Sequence, residues 1–322
     1  MNMKRTLYLL PLLAALALAA CEKTVDIDAP ADRELVVNAV PSAGQRAFVY
    51  FGHTRFFLDS SNYQPVDGAS LILNVNGTPM TPDSESRCRY FFPHTLAEGD
   101  TLSLDITAPG GHDIHARTYV PYFPAVNGMS AATYASPSFN FYLLNFRLDD
   151  RPGVDEYYSV RISERDSGLR YNEWVDSIEL VDTIQSAFFL VPNNPEITSN
   201  DVCPYVPLGG YLYSRLMFMD RNIDGRQYPA QLFIMHTVDT NERPPFKHEY
   251  TVTVESITPA RWNYVLSASS QNSMFSYFAE QGQAFGNVEG ALGVFAGTAI
   301  RRYIFNPDTL TTTPQPIPLL TD

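Results

Sequence analysis

The chain has 322 residues, of which 22 are basic and 35 acidic, for a formal net charge of −13. That balance argues against a nucleic-acid partner, which a basic footprint would serve, and against a polybasic grip on anionic lipid. Charged residues make up only 18%, while 20 Phe, 19 Tyr and 24 Pro point to sheets and structured loops rather than helix bundles.

Residues 1–20 read as a secretory leader, with basic Lys4-Arg5, an uncharged run from Leu7, and Leu18-Ala19-Ala20 ahead of Cys21. The apolar run is shorter than the roughly 20 residues of a spanning helix. Cys21 after Leu-Ala-Ala resembles a bacterial lipobox, whose sulfur takes a diacylglycerol and whose new N-terminus takes a further acyl chain such as palmitate. Several acyl chains hold a protein on a membrane durably. Removing the leader takes Lys4 and Arg5 from the 22 basic residues and leaves the mature balance near −15. Residues 21–32, with Glu22, Asp26 and Asp28, form an acidic tether.

Strand character follows at 34–40, 47–54, 70–75, 89–92, 101–107 and 113–120, separated by turn signals such as Asp67-Gly68, Asn76-Gly77 and Gly110-Gly111. Short strands at this spacing predict a β-sandwich of immunoglobulin or fibronectin size over 33–123. In it, alternation turns Arg87 and Arg89 outward and Cys88 and Tyr90 inward. Cys88 and Cys203 are read as unpaired thiols, Cys203 lying in a Pro-rich loop over 192–210.

A larger β-rich domain is expected over 124–306, with one helix near its C-terminal end. Strands at 139–148 and 156–163 read as a pair joined across Asp149 to Gly153. Further strands are expected at 177–182, 187–191, 211–220, 227–236, 249–257 and 292–305. Thr258-Pro259 is a helix cap and first-turn proline, opening a helix over 260–281. Residues 307–322 read as a polar Pro/Thr tail.

Across this length the chain resembles the Bacteroidota lipoproteins grouped as domain of unknown function 4249. The resemblance rests on Cys21 with Val25-Asp26-Ile27-Asp28, Leu35-Val36-Val37-Asn38, Val66-Asp67-Gly68-Ala69, Tyr157-Tyr158, Phe218-Met219-Asp220 through Gly225-Arg226, and the run Gly290 to Gly297. It implies an outer-membrane lipoprotein, often encoded beside a TonB-dependent transporter, and it brings no catalytic residues.

Asp220, Asn222 and Asp224 with Gly225 match the first half of a calcium loop. Position 12 of such a loop is Gln231 rather than Glu, and a turn braced by Asp and Asn explains the same letters. His112 and His115 are three apart and would point to opposite faces of a strand, and the other histidines are scattered singly. The acids Glu164 and Asp166 read as solvated residues of a turn or strand end. The sequence carries no Gly-x-Ser-x-Gly elbow and no second His after His248-Glu249. Tyr205, Tyr211 and Tyr213, in and beside the long loop, are the candidates for stacking on a ligand. The expectation is a non-enzymatic lipoprotein of the outer membrane, without cofactor, serving a TonB-dependent uptake system as accessory or ligand-binding component. An adhesin or surface-assembly subunit is the first alternative, a surface hydrolase the second.

Overall fold

The computed structural model describes residues 33–55, 64–135, 140–187, 189–190, 215–236, 241–271 and 284–315. Apart from Arg33 and Arg55, all of these belong to one unit comprising Glu34–Thr54 and Tyr63–Asp322. Cys21, Cys203, Tyr205, Tyr211 and Tyr213, and the loop over 192–210, lie outside the described residues.

The chain is mainly β. Its first eight strands are β1 (Leu35–Ala39), β2 (Arg46–His53), β3 (Ser70–Val75), β4 (Thr78–Met80), β5 (Ser84–Ser86), β6 (Arg89–Thr95), β7 (Thr101–Ala108) and β8 (His112–Tyr119). Their period-2 patterning is plain in β7, where Leu102, Leu104 and Ile106 are buried between more exposed neighbours. Asn76-Gly77 connects β3 to β4 as a two-residue turn with φ of 51° and 82°, the left-handed geometry that Asn-Gly favours. Arg87 and Cys88 also have positive φ, 52° and 63°. They form the turn between β5 and β6 rather than part of a strand, and Cys88 is nevertheless a buried free thiol.

Next come β9 (Ala125–Ala135), β10 (Asn140–Asp149), β11 (Tyr157–Asn172), β12 (Ser177–Ser186), β13 (Phe189–Leu190), β14 (Arg215–Met219), β15 (Gln227–His236) and β16 (Glu242–Ile257). Helix α1 (Pro259–Gln271) follows, and then β17 (Val288–Glu289), β18 (Leu292–Phe295), β19 (Thr298–Asn306) and β20 (Thr311–Gln315). Thr258 caps α1, its Oγ1 accepting from the Arg261 N–H at 3.4 Å. No described helix is long and apolar enough to cross a membrane.

Two pairs of sheets result. Sheets β18-β1-β2-β6-β5 and β17-β8-β7-β3-β4 enclose one core, with Val37, Phe51, Phe92, Leu104, Ile106 and Ile114 essentially inaccessible. Sheets β13-β15-β10-β9 and β12-β11-β16-β19-β20, the latter with β14 alongside β11, enclose a second around Leu144, Tyr158, Leu232, Tyr250, Val252 and Phe305. Each fully buried Leu, Ile or Phe contributes on the order of 2 kcal/mol. Trp262 of α1 packs on the opposite face of the second of these sheets, against Met217 and Ile257.

Three sequence expectations change here. Strands β10 and β11 do not pair with each other: β10 lies between β9 and β15, and β11 runs beside β12, β14 and β16. The stretch 292–305 is two strands. Strand β18 pairs in parallel with β1 and completes the first core, whereas β19 pairs with β16 in the second. The crossing point is Gly297, where any Cβ would overlap the carbonyl oxygen of Tyr119. Residues Thr311–Gln315, within the stretch read as a tail, add β20 to β19.

Candidate functional site

The second half of β11, β12 and the first half of β16 run on past the buried core, and the sheet there has two contrasting faces. On the core side, alternation continues from Tyr158, Val160 and Ile162 into Glu164 and Asp166. Register sets Glu164 opposite Tyr250, Asp166 opposite His248 and Arg170 opposite Glu242. His248 Nδ1 lies 2.8 Å from Asp166 and 3.4 Å from Glu164, and its Nε2 lies 3.2 Å from Glu242. Tyr250 donates to Glu164 at 2.6 Å, and Arg170 approaches Asp166 and Glu242 at 3.8 and 3.7 Å.

Glu164 and Asp166 are thus mid-strand residues facing a histidine, not solvated turn acids. Hydrogen bonding to Glu164, then to Asp166, and the charge of Glu242 push the His248 pKa up to about 9 against the opposing effect of burial. Glu164 has the largest influence, although Asp166 is the closer oxygen. Donor atoms of Glu164, Asp166 and His248 all lie within 4.8 Å of one another, close enough to share a metal ion. A metal requires the neutral imidazole, and three carboxylates around one ring favour the cation instead. The cluster's chemistry is that of an imidazolium and a guanidinium binding two strands, β11 and β16, together.

Asp220, Asn222 and Asp224 sit on and just after a 3₁₀ turn over Asp220–Asn222. Asp220 Oδ2 accepts the Glu156 N–H at 2.6 Å, and Asp224 Oδ1 accepts the Gly153 N–H at 2.7 Å. Asp150 in turn accepts the Gly225 N–H at 3.0 Å. These carboxylates brace the connection from β10 to β11, as a turn held by Asp side chains would. Tyr158 places its hydroxyl 2.9 Å from Asp150 and 2.8 Å from Glu156. One phenolic hydrogen serves only one of these acceptors, so the second bond needs a proton on a carboxyl. Burial raises the Asp150 pKa and pushes that of Asp220 to about 6.

The other face of the extended sheet is open and carries a row of large apolar side chains, interrupted by the Arg165–Asp182 ion pair. Along β12, Ile178, Leu180 and Ile184 are 60%, 80% and 72% exposed, and Trp174 at the tip of the β11–β12 hairpin is 97% exposed. Leu169 lies directly opposite Leu180, and Tyr171 opposite Ile178. β12 is an edge strand, and among the described residues its far side carries no partner over Ser177–Ser186. Acidic residues Glu173 and Asp176 flank the hairpin tip, and Glu179, on the same edge strand, faces the other side opposite Arg170. A run of large exposed side chains on an unpaired edge is the surface that folded proteins ordinarily blunt. In the sequence, Ile178 and Leu180 fall in the strand expected over 177–182, whereas Trp174 and Ile184 fall in no expected strand; the hairpin's extension past its partner sheet exposes all four.

The family model described as "Domain of unknown function (DUF4249)" matches residues 22–304. No curated protein matches the chain. Among solved structures, a putative membrane anchored protein from Corynebacterium diphtheriae is similar at 12% identity, over 71% of this chain and 55% of that one. This chain therefore spans about half the length of that protein, and the TM-score of 0.18 is too low to establish a common fold.

Proposed function

We propose that this chain, which belongs to the DUF4249 family, is a non-enzymatic lipoprotein of the outer membrane that docks onto a TonB-dependent transporter as an accessory of uptake. Cys21 carries the lipid and residues 22–32 set the reach from the membrane. The observation that supports docking is the exposed apolar row Ile178, Leu180 and Ile184, with Trp174 at the hairpin tip. Covering a side chain of this size contributes on the order of 2 kcal/mol before the cost of association, and tryptophan is enriched among the residues that dominate interfaces.

Charge selects the occupant. Pairing with a second copy would set the acidic edge of Glu173, Asp176 and Glu179 against itself, and like charges across strands are destabilising. The same acids oppose an anionic lipid surface. They suit a protein partner that offers apolar side chains flanked by lysine or arginine.

The test is affinity recovery of the lipidated protein from detergent-solubilised outer membrane. Stoichiometric recovery of a TonB-dependent transporter, lost in Leu180→Ser/Ile184→Ser and in Cys21→Ala, is the expected result. Recovery of the wild-type protein alone, at low salt in mild detergent, overturns the proposal.

A further inference from the structure

A second feature lies on the outer face of the same sheet, nearer α1. Pairing places Arg215 of β14 directly opposite Arg161 of β11, Arg161 opposite Thr253 of β16, and Thr253 opposite Arg302 of β19. Residues opposite each other share a face, so one row across four strands reads Arg, Arg, Thr, Arg. With strands about 4.8 Å apart, the backbones of Arg161 and Arg302 are separated by roughly 10 Å, within reach of two long side chains directed at one ligand. Arg261, in the first turns of α1, brings a fourth guanidinium to the group, its charge felt together with those of Arg215 and Arg161.

Glu255, two residues along β16 from Thr253 and therefore on the same face, is buried and is the carboxylate that faces Arg161, Arg261 and Arg302. It accepts from Arg161 Nε at 3.1 Å. Among the described residues one buried carboxylate faces these three guanidinium groups and does not balance them. Like charges opposite each other in a sheet oppose folding, and the next row on this face, Met217, Ser159, Glu255 and Ile300, shows that the sheet builds without such a row. Burial and the charges of neighbouring arginines hold the guanidinium groups of Arg261 and Arg302 below their ordinary pKa. The fold thus maintains a cluster of positive charge in a chain with 35 acidic and 22 basic residues.

We propose that the Arg161–Arg302 row, with Arg261, is a binding site for an anionic ligand that presents phosphate or carboxylate oxygens. Guanidinium forks bind such groups bidentately, with charge-assisted hydrogen bonds, and an anion here would neutralise the excess that Glu255 leaves. Arg161 serves Glu255 as well as the ligand, while Arg302 and Arg261 are the residues with which to test the site. The site is separate from the apolar hairpin and its test involves no transporter, so the two proposals fail independently.

The experiment uses the purified full-length protein, with pyrophosphate and citrate as soluble probes and sodium chloride at matched ionic strength as the control. Pyrophosphate or citrate is expected to raise Tm above the chloride control, with saturable binding in calorimetry that Arg302→Gln and Arg261→Gln each weaken about tenfold. Arg302→Lys, which keeps the charge and loses the fork, is expected to fall between wild type and Arg302→Gln. In probe-free buffer of low ionic strength, Arg302→Gln should raise Tm, which separates lost binding from misfolding. A parallel arm uses the Cys21→Ala protein, which carries no acyl chain, and phosphatidylcholine vesicles with and without phosphatidylglycerol. Capture that requires phosphatidylglycerol and Arg302 assigns the anion to a lipid headgroup, and binding confined to the soluble probes assigns it to a small solute. Equal Tm shifts with chloride, or affinities unchanged in both glutamine variants, overturn the site.

Discussion

His248 and Asp166 stand opposite each other on neighbouring strands, imidazole Nδ1 2.8 Å from carboxylate Oδ1, 82 residues apart in the chain. The pKa of about 9 makes this ring a cation at neutral pH. A histidine whose folded pKa lies above its unfolded value of about 6.5 contributes stability that is fully present below pH 6.5 and is lost as pH rises through 9. With a difference near 2.5 units, the loss is on the order of 3 kcal/mol. Urea unfolding at pH 6, 8 and 9.5 should show this decline in the wild type. His248→Gln should be less stable at pH 6 and should remove most of the decline; a variant with the wild-type slope would show that His248 is not its source.

Asp220 is shifted in the same direction as His248, above its unfolded value. Its carboxyl is raised to about 6 by burial first, and then by Asp150, Asp155 and Glu156, against the Glu156 N–H that it accepts. The folded protein therefore binds the extra proton, and this residue's contribution to stability rises as pH falls from about 7 to 4, by roughly 3 kcal/mol. Asp220→Asn keeps an oxygen for the Glu156 N–H and has no charge to bury. It should be more stable than wild type at pH 7.5, with the difference closing by pH 4. A variant less stable than wild type at pH 7.5 would show that the carboxylate is compensated there.

At the hairpin, large side chains that touch solvent contribute little to folding. Trp174→Ser and Leu180→Ser should change unfolding free energy by no more than about 0.5 kcal/mol while abolishing recovery of the transporter. A large loss of stability in either would mean that these side chains are packed in the free protein.

Gly297 leaves no room for a side chain. Gly297→Ala forces a Cβ into the Tyr119 carbonyl at the point where the chain passes from β18 to β19. A loss of several kcal/mol is expected, in the range of severe packing defects, with hydrogen exchange accelerating in β1 and β8, the strands that β18 and β17 complete. Full stability in the alanine variant would mean that the crossing relaxes without cost.

Calcium offers a direct check on the Asp220-Asn222-Asp224 turn. Oxygens of Asp220 and Asp224 are engaged by N–H groups of Glu156 and Gly153, so millimolar calcium should leave Tm unchanged. Stabilisation lost in Asp224→Asn would establish a cation site there.

Much of the architecture was legible in the amino-acid order. Strand β15 begins and ends where its alternation does, Asn76-Gly77 turns where its left-handed preference dictates, and Thr258-Pro259 starts α1. These are local matters, decided by side-chain period, backbone sterics and a cap within a few residues. Which strand lies beside which was not local. The stretches 139–148 and 156–163 were legible as strands, yet their closeness in the chain suggested a pair, and they lie in different sheets. The apolar run 292–305 concealed a change of partner at Gly297, because the obstacle, Tyr119, is supplied by β8. The same holds for the functional surfaces: Glu164 and Asp166 met His248, Arg161 met Arg302, and Leu180 was left uncovered through registers set across strands tens of residues apart. Sequence period decides the face that a side chain occupies, and only the packed sheet decides its neighbours.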